Sequence, residues 1–328
     1  MTVRKTLVII CGLAATGGGG AGAAISLAPT PSWVSMDEDL ATGGMLWDID
    51  GDGWLDLVVG NGNDIKAERD AVFYNKRGKL ELEASWHSRD EGYDGHLDLG
   101  DVDGDGDLDV VITGFLDPYL EQLYRNDDGR LTPEPVWFNE EQDNSFSCAL
   151  GDVDGDGDLD LATISGYFDP APVRLYRNNG GTLERRASWF TPRAYNCNDV
   201  AWCDVDRDGD LDLLAAGHGE PCYLFENRGG TLGTRPSWQS TLVTEFNQVA
   251  FGDVDGDGWR DLAASDNSGN RVLLYENRGG TLARTPAWEA PIRYASCVKL
   301  VDADADGDVD LAAGGWWAPI QVFENRRG

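Results

Sequence analysis

The chain has 328 residues, of which 58 are Asp or Glu and 26 are Lys or Arg, giving a formal net charge of −32 and a pI near 4.2. Phosphate contacts need a basic face, so this balance excludes a nucleic-acid binder. Hydrophobic residues at 41 %, aromatics at 10 % and a mean hydropathy of −0.37 supply a core and exclude a disordered acidic chain.

In chain order, Arg4 and Lys5 precede an apolar stretch from Thr6 to Ala15 and a Gly/Ala-rich segment with a cleavage-like Ala21-Gly22-Ala23. Residues 1–23 therefore read as a secretory signal and 24–328 as one folded, extracytoplasmic domain, with no membrane insertion after cleavage. An uncleaved anchor stays open, because Thr6 to Ala28 carries no charge and is long enough to span. Cys11 follows Val8, Ile9 and Ile10, where a lipoprotein signal wants a small residue. The other cysteines, Cys148, Cys197, Cys203, Cys222 and Cys297, match no zinc spacing. A Cys197–Cys222 disulfide is expected if strands one and three of the fourth repeat both begin at one face.

An aspartate-rich string then recurs six times, starting at Asp48, Asp101, Asp152, Asp204, Asp253 and Asp302, with steps of 53, 51, 52, 49 and 49 residues. A period near 50 means a repeat architecture. Each copy reads as a short apolar strand (Leu97 to Gly100, Cys148 to Gly151, Val249 to Gly252), the Asp string, and a second apolar strand such as Leu108 to Thr113 or Leu159 to Ile164. A third strand ends in an aromatic and an asparagine (Tyr74-Asn75, Tyr124 to Asn126, Tyr176 to Asn178, Phe225 to Asn227, Tyr275 to Asn277, Phe323 to Asn325). A fourth closes with Trp86, Trp137, Trp189, Trp238 or Trp288, expected to fill the gap between neighbouring repeats. Four short strands per copy make a propeller blade, and the fold class is all-β: a six-bladed β-propeller, antiparallel within each blade. The sixth copy stops before its fourth strand, and Leu27 to Trp33 mirrors Leu282 to Trp288. Pairing residues 27–33 with the strand near 321–325 would close the ring and hide its edges.

In Asp152-Val-Asp-Gly-Asp-Gly-Asp-Leu-Asp160, carboxylates fall at positions 1, 3, 5 and 9, and the glycines let the backbone wrap. That is an oxygen cage for a hard cation, spaced like the first nine positions of an EF-hand loop, with position 7 used through its carbonyl. The candidate ligands are Asp48, Asp50, Asp52, Trp54 and Asp56 in the first copy; Asp101, Asp103, Asp105, Asp107 and Asp109 in the second; Asp152, Asp154, Asp156, Asp158 and Asp160 in the third. They continue as Asp204, Asp206, Asp208, Asp210 and Asp212 in the fourth, Asp253, Asp255, Asp257, Trp259 and Asp261 in the fifth, and Asp302, Asp304, Asp306, Asp308 and Asp310 in the sixth. About six Ca²⁺ per chain are expected, with weaker fourth and sixth sites where Arg207 and Ala305 replace the position-4 glycine.

The GDVDGDGDLDL strings and the period resemble the FG-GAP and VCBS-type repeats of secreted β-propellers, including the calcium blades of integrin α-subunits. The resemblance implies calcium loops between strands one and two on a lower face. It implies an upper face built from the loops between strands two and three and between blades.

Positions at which the copies disagree are the recognition candidates. Five residues before each Asp string stand Gly43, His96, Ser147, Asp199, Gln248 and Cys297, expected to face a polar central channel. Upper loops carry Phe115, Asp117 and Tyr119; Tyr167, Phe168 and Asp169; His218 and Glu220; Asp266, Asn267 and Asn270; and Trp316 with Trp317. Acidic residues crowd the upper loops of the first three copies, so a neutral or anionic ligand is directed to Trp316, Trp317, Tyr294, His218, Arg193 and Arg293. Aromatics beside polar groups suit a glycan; an extracellular protein stays open as the partner, and the chain is expected to be a monomer. No nucleophile elbow, HExxH, phosphate loop or Asp box occurs, and His87, His96 and His218 lie in separate copies. The leading reading is a secreted recognition or adhesion module. A calcium-dependent polysaccharide-degrading enzyme and a structural surface protein remain as alternatives.

Overall fold

The computed structural model describes residues 33–63, 65–114, 116, 120–141, 144–166 and 170–326. The expected signal, the segment 27–32, and Phe115, Asp117, Tyr119, Tyr167, Phe168 and Asp169 lie outside these residues. The described chain is all β, with no helix, so none is long and apolar enough to cross a membrane. It divides into two compact units, one ending at Tyr195 and the other continuing from Asn196.

The first unit holds three four-stranded antiparallel meanders. They are β1 (Ala41–Trp47), β2 (Asp56–Asn61), β3 (Ala71–Phe73) and β4 (Trp86–His87); β5 (Asp94–Gly100), β6 (Asp109–Gly114), β7 (Gln122–Tyr124) and β8 (Trp137–Phe138); and β9 (Ser147–Gly151), β10 (Asp160–Ile164), β11 (Arg174–Tyr176) and β12 (Trp189–Phe190). The second unit continues with β13 (Cys197–Cys203), β14 (Asp212–Glu220), β15 (Tyr223–Phe225) and β16 (Trp238–Gln239), then β17 (Thr244–Gly252), β18 (Asp261–Asp266), β19 (Arg271–Tyr275) and β20 (Trp288–Pro291). These eight strands join because β14 runs past its own sheet and pairs with β17, His218 opposite Glu245. The last sheet, β21 (Ala295–Val301), β22 (Asp310–Gly315) and β23 (Gln321–Phe323), has three strands among the described residues.

Second strands form the core because they are paired on both edges and covered on both faces. Every residue of β2, β6, β10 and β18 is buried, which explains runs such as Leu57-Val58-Val59 and Val110-Val111-Ile112. Sheets of successive repeats then pack face to face. Val58 and Val72 meet Leu97, Val110 and Ile112, and in the second unit Leu214 and Leu224 meet Val249, Leu262 and Leu273. Each such fully buried aliphatic side chain is worth about 1.5–3 kcal/mol.

Four of the five tryptophans are seen to do what the sequence predicts. Trp86 packs edge-on against Tyr124 of the next repeat at 5.5 Å, Trp137 against Tyr176 at 5.7 Å, Trp238 against Tyr275 at 6.2 Å and Trp288 against Phe323 at 5.3 Å. Trp33 meets Phe73 in the same way at 5.4 Å. In the first repeat the packed aromatic is therefore Phe73, two residues before the asparagine as in every other copy, and not Tyr74.

Three further expectations change. First strands begin earlier than their apolar residues, β5 at Asp94 and not at Leu97, because backbone pairing extends through polar positions. Cys197 and Cys222 form no disulfide: β13 and β15 lie on opposite edges of β14, with Cys197 opposite Gly217 and Tyr223 opposite Ala215. Two strand spacings, about 9.5 Å, exceed the reach of a disulfide. Third, Asp199 and Gln248 are buried, and their side-chain oxygens accept the N–H groups of Val249 and Val298 in the next repeat at 2.9 and 3.1 Å. They bridge first strands and do not present polar groups to an open channel.

Candidate metal loops and an exposed aromatic group

The six Asp loops join first to second strands and share one hydrogen-bond plan. The position-1 carboxylate accepts the position-6 N–H, as in Gly53 to Asp48 at 2.8 Å and Gly157 to Asp152 at 3.0 Å. Position 5 accepts the N–H of position 7, as in Trp54 to Asp52 and Asp158 to Asp156, both at 2.9 Å. Such wrapping needs left-handed backbone at positions 4 and 6; Gly51 and Gly53 have φ of 71° and 91°. Arg207 and Ala305 occupy position 4 with φ of 60° and 63°, so the two departures noted in the sequence carry real strain.

Position 9 opens each second strand and is buried, Asp56, Asp109, Asp160, Asp212, Asp261 and Asp310 all being at most 2 % exposed. One oxygen accepts the position-2 N–H, from Ile49 to Asp56 at 3.0 Å for instance. The other accepts the N–H of the asparagine after the third strand, from Asn126 to Asp109 at 2.8 Å. Burial pushes the carboxyls of Asp56, Asp109 and Asp212 up to about 6.

Sequence reasoning treated that asparagine as the end of a strand, yet its amide couples loops. Asn126 Nδ2 donates to Leu108 O in its own loop at 3.1 Å and to Ile49 O in the preceding loop at 2.9 Å. Asn178, Asn277 and Asn325 repeat this with Val102, Val205 and Val254. Its recurrence at one offset from each Asp string was the available signal. Position 7 points away from the cluster: Asp107 Oδ2 accepts the Asp128 N–H of the following turn at 2.6 Å, and Trp54 lies against Gly78.

Carboxylate oxygens converge within 4.8 Å in the sets Asp48/Asp50/Asp56, Asp101/Asp103/Asp109, Asp152/Asp154/Asp156, Asp204/Asp206/Asp208 and Asp253/Asp255/Asp261. Oδ1 of Asp48 and of Asp204 is buried without a hydrogen-bond partner. Lone pairs held together, out of water and unmatched by donors are what a metal ion satisfies, so these clusters could hold one.

Of the ligand candidates, the structure gathers four. Trp317 meets Tyr294 edge-on at 6.0 Å and Trp316 at 6.2 Å, and the Arg293 guanidinium lies 5.0 Å from the Tyr294 ring centre. Trp317 is 70 % exposed. Tyr294 and Trp317 both adopt left-handed backbone, φ 49° and 58°. The other two are engaged elsewhere: Asn198 Nδ2 lies 3.0 Å from His218 Nδ1, and Arg193 stacks over Tyr195 at 4.6 Å. Asp266, another loop candidate, is fully buried and paired with Arg271 at 2.9 Å.

Antiparallel four-stranded repeats, each with an Asp loop between its first two strands, define a repeat protein of the β-propeller class. The FG-GAP-like repeat model matches residues 48–112, 120–163, 164–215, 204–264 and 253–313, and the chain belongs to that family. No curated protein sequence matches it. Among solved structures it is similar to BBS1N in complex with ARL6DN in a mercury-soaked crystal, with a TM-score of 0.55 and 10 % identity over 83 % of this chain and 75 % of that one. A lead-soaked crystal of the same complex gives 0.54 and 10 % over 88 % and 93 %. The biofilm matrix protein Bap1 of V. cholerae gives 0.50 and 16 % over 80 % of this chain and 44 % of that one.

Proposed function

We propose that the chain is an extracytoplasmic recognition module whose Asp loops hold about six Ca²⁺ and whose exposed aromatic group at Tyr294, Trp316 and Trp317 binds glycan. The strain at Tyr294 and Trp317 carries this reading. Bulky residues in left-handed backbone cost about 1–2 kcal/mol each, and here that strain presents rings to solvent instead of to the core. A flat pyranose face stacks on such rings while Arg293 offers hydrogen bonds to hydroxyls. Calcium suits the loops because it takes six to eight oxygens from carboxylates and carbonyls, the donor set each loop supplies. Bap1, a biofilm matrix protein, is an extracellular precedent for the fold. The test is a glycan array probed with the chain and with a Trp316→Ala, Trp317→Ala double variant, with and without EDTA. The variant should lose capture and keep its calcium content and melting temperature; a variant that captures normally would rule out the site.

One observation favours the enzyme reading instead. Asp70 and Asp94 are buried against each other, desolvation raises both carboxyls, and Asp70 is pushed up to about 7. Asp94 lines a cavity of about 340 Å³ together with Tyr93, Tyr124 and Phe138. A carboxyl holding its proton near neutral pH is what general-acid cleavage of a glycosidic bond needs. Reducing-sugar release from a polysaccharide, abolished by Asp94→Asn, would favour this reading.

A further inference from the structure

The residue just before the asparagine that follows each third strand is Tyr74, Arg125, Arg177, Glu226, Glu276 or Glu324. Its charge changes sign between the two compact units. In the third repeat the Arg177 side chain is 20 % exposed, and its Nη1 lies 2.6 Å from Asp160 Oδ2 and 3.1 Å from Asp154 Oδ2. One guanidinium thus joins positions 9 and 3 of an Asp loop. Arg125 of the second repeat is drawn outward to Asp127 at 3.0 Å, leaving its Nε 3.8 Å from Asp103.

In the fourth to sixth repeats the arrangement is reversed. Glu226, Glu276 and Glu324 are 25–28 % exposed and pair with Arg228, Arg278 and Arg326 at 2.6–2.9 Å, the arginines being at least 76 % exposed. The acid lies inward and the base outward. Glu226 lines a cavity of about 310 Å³ with Asp206 and Asp212 of its own loop.

We infer that Arg177 is a built-in counter-cation of the third Asp loop, so that this loop is held together without metal and takes a divalent cation only at higher concentration than it would without that guanidinium, whereas the loops of repeats four to six have a glutamate at the same place. The inference rests on the calcium reading above. A guanidinium bonded to two loop carboxylates occupies lone pairs that a metal would use, and its charge repels a divalent ion nearby. An inward glutamate adds attraction to the same kind of cluster.

The experiment uses the full chain and calcium alone, followed by calorimetric titration and by ion counting in native mass spectrometry. One loop of the parent should fill at calcium concentrations about tenfold above those at which the same loop fills in Arg177→Gln, the other loops being unchanged by the substitution. In EDTA the variant should melt below the parent, because it has lost its internal cation, and calcium should then raise its melting temperature by more than it raises the parent's. Glu226→Gln reads the same gradient from the other side, weakening one site about tenfold, and serves if Arg177→Gln does not fold. Identical titrations of parent and Arg177→Gln would overturn the inference while leaving calcium binding intact. If the parent binds no calcium, the calcium reading and this inference fail together.

Discussion

Asn126 is buried with its Nδ2 between two carbonyls of successive Asp loops, whereas the Nδ2 of the half-buried Asn75 donates to Leu55 O at 2.9 Å. Removing the amide leaves a buried and a half-buried carbonyl short of a donor in one case and a single half-buried one in the other. Asn126→Ala should therefore cost about 2–3 kcal/mol and Asn75→Ala about 1 kcal/mol in urea unfolding. Equal losses would mean that the asparagine supports only its own turn. Ala305 offers a change of opposite sign. Its φ of 63° is strained for a residue with a Cβ, so Ala305→Gly should stabilise by about 0.5–1 kcal/mol, the strain released being partly offset by the greater freedom of glycine in the unfolded chain. Arg207→Gly should gain less, since Arg207 also stacks over Trp259 at 4.9 Å.

At the scale of strands and loops, what could be read from the sequence depended on repetition. Six copies made the Asp loops, their glycines and the tryptophans unmistakable, and the structure places the tryptophans tested by ring contacts where that pattern predicts. Polar residues inside strands were harder to read. Asp199 and Gln248 resemble channel-lining groups in sequence, and only packed sheets reveal the unpaired N–H groups they serve. The Cys197–Cys222 pairing failed for a similar reason, because the intervening strand cannot be seen from spacing along the chain. Trp317 and Trp238 show the same divide. Trp238 packs on Tyr275 and donates to Leu282 O at 2.8 Å, so Trp238→Ala should cost about 3–5 kcal/mol. Trp317→Ala, at a ring 70 % exposed, should stay within about 0.5 kcal/mol of the parent. A large loss at Trp317 would make it a core residue and remove it from the proposed ligand surface.

For the whole molecule, a net charge of −32 has to be held together at neutral pH, and the buried carboxyls decide how. Burial raises Asp56, Asp109 and Asp212 to about 6 and Asp70 and Glu121 to about 7 in the folded chain. In the unfolded chain such groups titrate near their ordinary values of about 4. Between pH 4 and 7 the metal-free fold thus binds more protons than the unfolded chain, so its stability falls as pH rises through that window. Calcium acts in the opposite direction at the loop carboxylates, because metal and proton compete for the same oxygens. In EDTA the melting temperature should rise when the pH is lowered from 7.5 to 5. In millimolar calcium the protein should melt higher than in EDTA at pH 7.5, and the gap should narrow toward pH 5 as protons displace the ion. Asp70 and Glu121 lie outside the loops, so Asp70→Asn and Glu121→Gln should each flatten the pH dependence in EDTA while leaving the calcium-dependent gap in place. A metal-free protein that melts lower at pH 5 than at pH 7.5 would show that these carboxyls are ionised in the fold, and the cost of burying them would have to be met by donors other than protons and metal.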